Sequence, residues 1–318
     1  SNANTYDGTT TISAGTLQTG NNSALGTGAA SVTSGAVLDI NGKTVSNNLT
    51  INGTGISSGG ALINSDTSNT ATASGTVALG SSSSLVGAGN ITLSNVVSGA
   101  NALTKVGAGT LTLSGANTYT GATTISAGTL TVSGSLSDST AVSVSSGATY
   151  ALGASDTIGS IAGAGTISLS SYTLTAGGDN SSTSVSGTIT GTGGSLTKAG
   201  TGTLTLSNSS NSYTGATTIN AGTIAVTVNN ALGTNGSGTT IGSSGTLDLQ
   251  NVTYSTTEAL TVNGGTIKTS TGTSSFAGTI SLTANSTVDV GGTQLTLSGI
   301  ISSTSTYGLT KFGTGTLV

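Results

Sequence analysis

The sequence predicts an all-β fold, a right-handed parallel β-helix (β-solenoid) that forms a single elongated rod. Three observations lead to this fold class: the composition, an alternation of apolar side chains, and an internal repeat. The 318 residues include 52 glycines and no proline or cysteine, and only 4% are charged. Glycine-rich chains are often disordered, but disordered chains usually carry much charge and little apolar content. Here 33% of the residues are hydrophobic, which favours a fold.

Apolar residues alternate with polar ones in short segments along the whole chain. Leu111-Thr112-Leu113, Leu204-Thr205-Leu206 and Val288-Asp289-Val290 are examples. Because successive side chains of a strand point to opposite faces, this pattern is typical of a strand with one buried face. Glycines punctuate the segments, and no helical period of useful length is present. The chain is therefore expected to be all-β.

A repeat decides the kind of all-β fold. Two complete copies occupy 103–130 and 196–224. Residues 4–17 correspond to the second half of the repeat, and residues 309–318 correspond to the first half. The alignment makes two sets of side chains equivalent: Tyr6, Tyr119 and Tyr213, and Lys105, Lys198 and Lys311.

Each copy holds about three short strands within about 25 residues, which is the content of one coil of a parallel β-helix. A single coil buries little, whereas stacked coils bury a continuous core. At roughly 20–25 residues per coil, about 13–16 coils are expected. The absence of proline suits a sheet in which the next coil needs nearly every backbone N–H.

The chain is expected to form one β-helical fragment over 4–318, with internal blocks at 4–117, 118–211 and 212–318. Ser1-Asn2-Ala3 resembles the scar left by tag cleavage and is excluded from the fold. Both ends lie inside a repeat, which indicates a fragment of a longer array. The lack of a visible signal peptide is then uninformative.

The composition argues against several classes of chemistry. There is no His, Cys or Arg, so Ser-His-Asp and Cys-His catalysis, disulfides and the usual zinc sites are excluded. A net charge of −4 gives no electrostatic support for nucleic-acid binding. The nine acidic residues are scattered, which disfavours a carboxylate pair for polysaccharide cleavage. No catalytic, cofactor or metal residue is expected.

The six equivalent side chains of the repeat are candidate interaction residues. Tyrosine is common at interfaces, but the favoured interpretation is that each ring packs over a coil corner next to Gly121 or Gly215. The lysines are expected to place charge on a solvated edge; a covalent crosslink is conceivable, although no partner can be named. Asp39, Asp248 and Asp289 lie between apolar residues and are expected to face outward.

Thr-x-Thr pairs occur at 110–112 and 203–205. Stacked Thr pairs are the pattern of ice-binding solenoids, which need a pair on nearly every coil. The segments between the repeat copies are not expected to maintain this pattern, so ice binding stays a minor hypothesis. The many hydroxyls could also carry O-linked sugar.

The repeat LTKxGxGTLTLSGANTYTGATTISAGTL resembles the passenger-associated transport repeat of autotransporters. The similarity is close at 103–130 and 196–224, and partial at 4–17 and 309–318. The resemblance implies an extracellular right-handed β-helix on the surface of a Gram-negative bacterium, threaded during export through an outer-membrane barrel of the same parent chain. Such passengers are often adhesins or self-associating proteins, and their repeat is linked to export and folding.

Three functional hypotheses follow. The first is a non-catalytic structural segment of a secreted passenger that supports export, folding and display of an adhesin-like protein. The second is a module whose lateral face mediates self-association or adhesion to a cell-surface or matrix ligand. The third is a polysaccharide-active enzyme on the same scaffold. No cofactor and no nucleic-acid partner are expected.

Overall fold

The computed structural model describes residues 3–318, and it confirms the all-β prediction. Its only helix in these residues is a single 3-10 turn, Ile56–Ser58. The strands of the first half of the chain are β1 Thr10–Ile12, β2 Thr16–Gln18, β3 Ala30–Val32, β4 Val37–Asp39, β5 Thr44–Val45, β6 Leu49–Gly53, β7 Leu62–Ile63, β8 Ala71–Ala73, β9 Val77–Leu85, β10 Ile91–Leu93, β11 Val97–Ser98, β12 Leu103–Lys105, β13 Thr110–Leu113, β14 Thr123–Ile125, β15 Thr129–Val132, β16 Ala141–Val144, β17 Thr149–Leu152 and β18 Asp156–Ile158.

The second half continues the same pattern of short strands. Its strands are β19 Ser160–Gly163, β20 Thr166–Ser168, β21 Thr173–Ala176, β22 Thr183–Val185, β23 Ile189–Thr190, β24 Ser195–Lys198, β25 Thr203–Leu206, β26 Thr217–Val226, β27 Thr239–Leu249, β28 Thr253–Tyr254, β29 Leu260–Asn263, β30 Thr266–Thr269, β31 Thr273–Phe276, β32 Ile280–Ala284, β33 Ser286–Val290, β34 Gln294–Leu297, β35 Ile301–Ser303, β36 Leu309–Phe312 and β37 Thr316–Leu317.

The chain forms two compact units, unit 1 up to Thr157 and unit 2 from Ile158 to Val318. Their border falls inside the predicted block 118–211. The predicted single unit with three blocks stays a prediction. Ser1 and Asn2 of the predicted cleavage scar lie outside the described residues.

Unit 1 is a stack of parallel strands in register. Leu103 of β12 pairs with Thr123 of β14, and Leu111 of β13 pairs with Leu130 of β15. Each strand therefore lies beside the strand that follows it by about one coil. This arrangement confirms the parallel β-solenoid for the first unit.

Unit 2 is built in the same way from parallel strands, and two of them are unusually long. The 10-residue β26 pairs along its length with the 11-residue β27, with a register shift between Ile219 and Ala221. Strand β24 pairs with β26, which places Leu196 beside Thr217. The two units together contain about 15 turns, in agreement with the expected number of coils.

Inward-facing residues stack in columns that run from coil to coil. In one column of unit 1, Leu85, Lys105, Ile125 and Val144 are neighbours in register. The apolar members of this column are buried, as the alternation predicts, because every second side chain of a strand faces the core. A lysine within such a column is unexpected and is described below.

Two aspartates that were expected to face outward into solvent are buried instead. Asp39 is only 2% exposed and Asp248 only 5%. A serine of the next coil covers each carboxylate: Ser65 Oγ donates to Asp39 at 2.6 Å and Ser270 Oγ donates to Asp248 at 2.7 Å. The carboxylates are buried because short polar side chains of the stacked coil close over them. Asp289 remains partly exposed.

In residues 3–318, the structure has no helix that is long and apolar enough to cross a membrane.

Candidate functional site

The tyrosines of the two complete repeats are fully buried. Tyr119 and Tyr213 are 0% exposed, whereas Tyr6 is 44% exposed. Each hydroxyl lies within hydrogen-bonding distance of the threonine four residues later: Tyr6–Thr10 at 2.6 Å, Tyr119–Thr123 at 2.7 Å and Tyr213–Thr217 at 2.6 Å. Burial raises the pKa of the Tyr119 and Tyr213 hydroxyls well above the ordinary value, so both are neutral. These two rings are therefore parts of the core.

Glycines of the following coil approach two of the three rings. A Cβ on Gly233 would lie 2.9 Å from the Tyr213 ring, and a Cβ on Gly26 would lie equally close to the Tyr6 ring. Gly121, by contrast, approaches the backbone of Asn101. The rings of Tyr6 and Tyr213 thus pack against a glycine one coil later, because a side chain at a coil corner lies against the stacked coil, and the packing of rings next to Gly121 or Gly215 stays a prediction.

The lysines of the complete repeats are also buried, which corrects their predicted place on a solvated edge. Lys105 is 0% exposed, and its Nζ donates to three backbone carbonyls. They are those of Val106 at 3.0 Å, Gly107 at 2.8 Å and Ala127 at 2.9 Å. The last belongs to the following coil, so the ammonium joins two coils. Burial lowers the pKa of Lys105 to about 8.

The other two lysines bind their own turn in the same way. Lys198 donates to the carbonyls of Ala199 and Gly200, and burial lowers its pKa, although the charge of Asp179 partly opposes the shift. Lys311 is exposed and donates to the carbonyls of Phe312 and Gly313.

A glycine two residues after each lysine explains how the backbone reaches the ammonium. Gly107, Gly200 and Gly313 have φ values of 71°, 63° and 77°. Residues with a side chain rarely adopt this left-handed conformation, so the Lys-x-Gly spacing is a steric requirement.

An asparagine two residues before each tyrosine was missed in the sequence analysis. Asn117 is 3% exposed; its Oδ1 accepts from the backbone N–H of Val97 at 2.9 Å, and its Nδ2 donates to the carbonyl of Ser135 at 2.8 Å. Val97 lies in the preceding coil and Ser135 in the following one. One side chain therefore connects three coils.

The second complete repeat has the same arrangement. Asn211 Oδ1 accepts from Ile189 N–H at 2.8 Å, and its Nδ2 donates to the Ala231 carbonyl at 2.7 Å. Asn4 donates to the Ala24 carbonyl at 2.8 Å. The constant position of asparagine before the three tyrosines was the sequence signal that could have identified it.

Each unit has a buried carboxyl group near its complete repeat. In unit 1, the Leu136 N–H donates to Asp156, whose Oδ2 also lies 3.4 Å from the Tyr150 hydroxyl. Burial raises the pKa of Asp156 to about 6. In unit 2, burial raises the pKa of Glu258 to about 7. In each unit, burial thus raises the pKa of one of the described carboxyl groups toward neutral pH.

The outward face of one sheet in unit 1 carries threonines in register. One column contains Thr72, Thr92, Thr112 and Thr131 in successive coils. A second column contains Thr110, Thr129 and Thr149. We call these seven residues the threonine array. Thr72, Thr92 and Thr149 extend single columns outside the repeats, but the Thr-x-Thr pair itself is interrupted, as expected, because Asn90 and Ala151 stand where the coils of Thr92 and Thr149 would need a second threonine.

Together, the parallel coils and the buried polar links define each unit as a β-solenoid whose neighbouring coils are joined at fixed positions. Residues 1–18, 103–132 and 196–226 match the family model of the passenger-associated-transport-repeat. The resemblance found in the sequence is therefore confirmed for these three segments, and the repeats and the solenoid fit the passenger of an autotransporter. The partial copy at 309–318 is not among the matched segments. Neither curated proteins nor solved structures gave a match to the chain.

Proposed function

We propose that this chain is a non-catalytic segment of an autotransporter passenger, in which the repeat supports export, folding and display at the surface of a Gram-negative bacterium. The observation that supports this function is the set of buried links in each complete repeat. Lysine and asparagine side chains satisfy backbone groups of their own and adjacent coils, and each buried tyrosine hydroxyl pairs with the threonine four residues later. They hold neighbouring coils in one register.

These links suit a protein that folds after it crosses a membrane. A solenoid folds by adding coils to those already formed, so a segment with strong nearest-neighbour contacts can start the process. Buried polar side chains also disfavour a shifted register, because a slip of one residue would leave them unpaired. The absence of cysteine and the low charge suit passage of an unfolded chain through an outer-membrane barrel of the same parent chain.

A non-catalytic role is supported by how the carboxylates are used. Asp39 and Asp248 are covered by serine hydroxyls of the next coil. Lys105 and Lys198 use their ammonium groups on backbone carbonyls. These charged groups bind the fold itself and not a substrate.

The test is deletion of residues 118–211 in the parent protein on cells, with surface display and adhesion measured separately. The deletion joins Asn117 to Ser212 and regenerates a complete hybrid repeat, so the coil sequence continues. Loss of display supports the export and folding function. Intact display with lost adhesion would favour the second candidate below, and if both persist this block is a spacer.

Point variants separate the repeat from the rest of the block. Asn117→Ala combined with Lys105→Met should reduce the protease-resistant passenger on the cell surface. Lys43→Met, which changes a half-buried lysine outside the repeats, serves as the matched control and should leave display unchanged. Equal display of the double variant and the control would contradict a role of the links in folding.

A second candidate function is self-association or adhesion through the lateral face of unit 1, and the threonine array favours it. Its hydroxyls have no side-chain hydrogen bond within residues 3–318, and the strands that carry it have no charged residue. Such a face presents hydroxyls and methyl groups without charge repulsion. Either a second copy or a surface ligand could bind there.

Analytical ultracentrifugation over a concentration series tests this candidate. Thr112→Lys with Thr131→Lys should weaken association, whereas Ser139→Lys, at an exposed position of unit 1 outside the threonine array, is the control. A strict monomer at high concentration would exclude self-association. Thermal hysteresis measured on the same samples tests the ice-binding hypothesis, and its absence would reject that hypothesis.

A further inference from the structure

Glu258, the only glutamate of the chain, is buried with half of its carboxyl group unpaired. It lies between β28 and β29 of unit 2 and is 1% exposed. Its Oε1 accepts a hydrogen bond from Thr239 Oγ1 at 2.8 Å. Its Oε2 has no hydrogen-bond partner among residues 3–318. A buried carboxylate oxygen without a donor is costly, whereas a protonated carboxyl carries no charge.

The groups that face Glu258 supply no positive charge. The titratable ones are Tyr213, which precedes β26, and Tyr254 of β28. Burial raises the pKa of both phenols, so they stay neutral. Neither hydroxyl is a hydrogen-bond partner of the Glu258 Oε2 among residues 3–318: Tyr213 pairs with Thr217, and Tyr254 accepts from the Leu232 N–H at 3.1 Å. Among residues 3–318, no lysine contributes to the pKa shift of Glu258, whose causes are burial and the Thr239 hydrogen bond.

Asp156 of unit 1 provides an internal comparison. It accepts from the backbone N–H groups of Leu136 and Thr157 and lies beside the Tyr150 hydroxyl. Its ionised form is therefore better satisfied than that of Glu258, which has a single donor. The burial of the two carboxyls is similar, so the number of donors distinguishes them.

We propose that Glu258 is a pH-sensitive element of unit 2: residues 255–259 stay packed while its carboxyl is protonated and open when it ionises. This inference goes beyond the proposed function, because it assigns a pH response to a side chain outside the matched repeats. The opening is local, since Glu258 belongs to a short connection between two strands.

The direction of the response follows from the two states of the carboxyl. Its pKa is raised from an ordinary value of 4.5 to about 7 by burial. The stabilisation of the packed state relative to the open state is fully present below pH 4.5. It is lost progressively as the pH rises through about 7. The packed state therefore favours mildly acidic solution, and alkaline solution loosens it.

A carboxyl titration of the unmodified chain is the first test. Glutamate labelled with ¹³C at the side-chain carboxyl gives a single side-chain glutamate signal in this protein, and its loss in Glu258→Gln confirms the assignment. We expect a titration midpoint near pH 7. A midpoint near pH 4.5 would overturn the proposal.

Hydrogen exchange then tests the opening itself. After correction for intrinsic exchange, protection of the amides of 255–260 should fall about tenfold or more between pH 5.5 and pH 8. Glu258→Gln should remove this fall, and Asp138→Asn, an exposed carboxyl in unit 1, should leave it unchanged. Protection that is independent of pH in the unmodified chain would show that the segment does not open, even if the variant fails to fold.

Discussion

The two complete repeats have nearly the same sequence but make different contacts with the coil that follows. Lys105 reaches the Ala127 carbonyl of the next coil, whereas Lys198 contacts carbonyls of its own turn only. In the first repeat the next coil breaks into β14 and β15, with Ala127 in the corner between them. In the second, the continuous strand β26 occupies the corresponding position.

This difference shows that the repeat sequence determines the contacts of the lysine within its own turn. The structure of the following coil determines whether the lysine also contacts that coil. Strand β26 is continuous where it pairs with the 11-residue β27. The register of this pairing shifts between Ile219 and Ala221, and Ala221 corresponds to Ala127 of the first repeat. The lysine next to β26 binds two carbonyls and not three, and the charge of Asp179 partly supports its protonated form.

The largest expected effect comes from removing a buried ring. Tyr119→Ala and Tyr213→Ala should each lower the free energy of unfolding by about 3–5 kcal/mol, because each leaves a cavity in a packed core. Tyr6→Ala should cost much less, since that ring is 44% exposed. Urea unfolding of the three variants measures these losses in the free energy of unfolding and so ranks them. An equal loss at Tyr6 would mean that ring burial does not explain the role of the tyrosine.

The next effect is a pH dependence of stability that differs between Lys105 and Lys198. Because the pKa of Lys105 is lowered to about 8, the folded state favours the neutral amine. Burying the charged Lys105 lowers the free energy of unfolding by its full amount below pH 8. This loss is relieved as the pH rises toward 10.5, the ordinary pKa of lysine. The chain should gain about 2 kcal/mol of stability between pH 8 and pH 10.

Urea unfolding at these pH values checks this gain. Lys105→Met should abolish most of it. Lys198→Met is the matched variant from the other repeat and should remove a smaller part, because Asp179 favours its charged form. The same gain in all three proteins would rule out Lys105 as its source.

A smaller effect tests the asparagine links. Asn117→Ala and Asn211→Ala should each cost about 1–2 kcal/mol, because a buried backbone N–H loses its acceptor. Those N–H groups belong to Val97 and Ile189. Asn4→Ala is the exposed counterpart and should have little effect on thermal unfolding. Similar losses at all three positions would indicate a local effect on the turn and not a link between coils.

The smallest effect concerns the hydroxyl pairs. Tyr119→Phe should cost about 1 kcal/mol, the usual net value of a buried hydrogen bond. Tyr213→Phe should cost less, because the freed Thr217 hydroxyl already lies 3.3 Å from the Leu232 carbonyl and can donate to it. Urea unfolding of the two variants and of the unmodified chain measures the difference in the free energy of unfolding. A greater loss at Tyr213 would reverse this part of the comparison.

Much of the fold could be predicted from local patterns. The alternation in Leu111-Thr112-Leu113 corresponds to β13, in which both leucines are buried and Thr112 faces out. The equivalence of the tyrosines also holds in three dimensions, since each is paired with the threonine four residues later. These features depend on a few neighbouring residues, so the sequence was sufficient.

The lysines, aspartates and ring neighbours could not be predicted in this way. Their environment is supplied by residues about one coil away, such as Ala127 for Lys105 and Ser65 for Asp39. A charged residue in an amphipathic pattern is ordinarily exposed, and this general preference led to the wrong expectation. Asn117 was missed because its hydrogen-bond partners, Val97 and Ser135, lie about one coil before it and one coil after it in the sequence.

The sequence by itself determined the strands, the coil length and the positions that repeat, because alternation, glycine spacing and self-similarity are local properties of the chain. Only the tertiary structure decided which polar side chains became links between coils. A lysine that must bind three carbonyls, or a glutamate left with one donor, is defined by the backbone of the coils stacked against it. Stacking sets the burial and the available partners, and these two quantities fix both the charge state and the stability of each link.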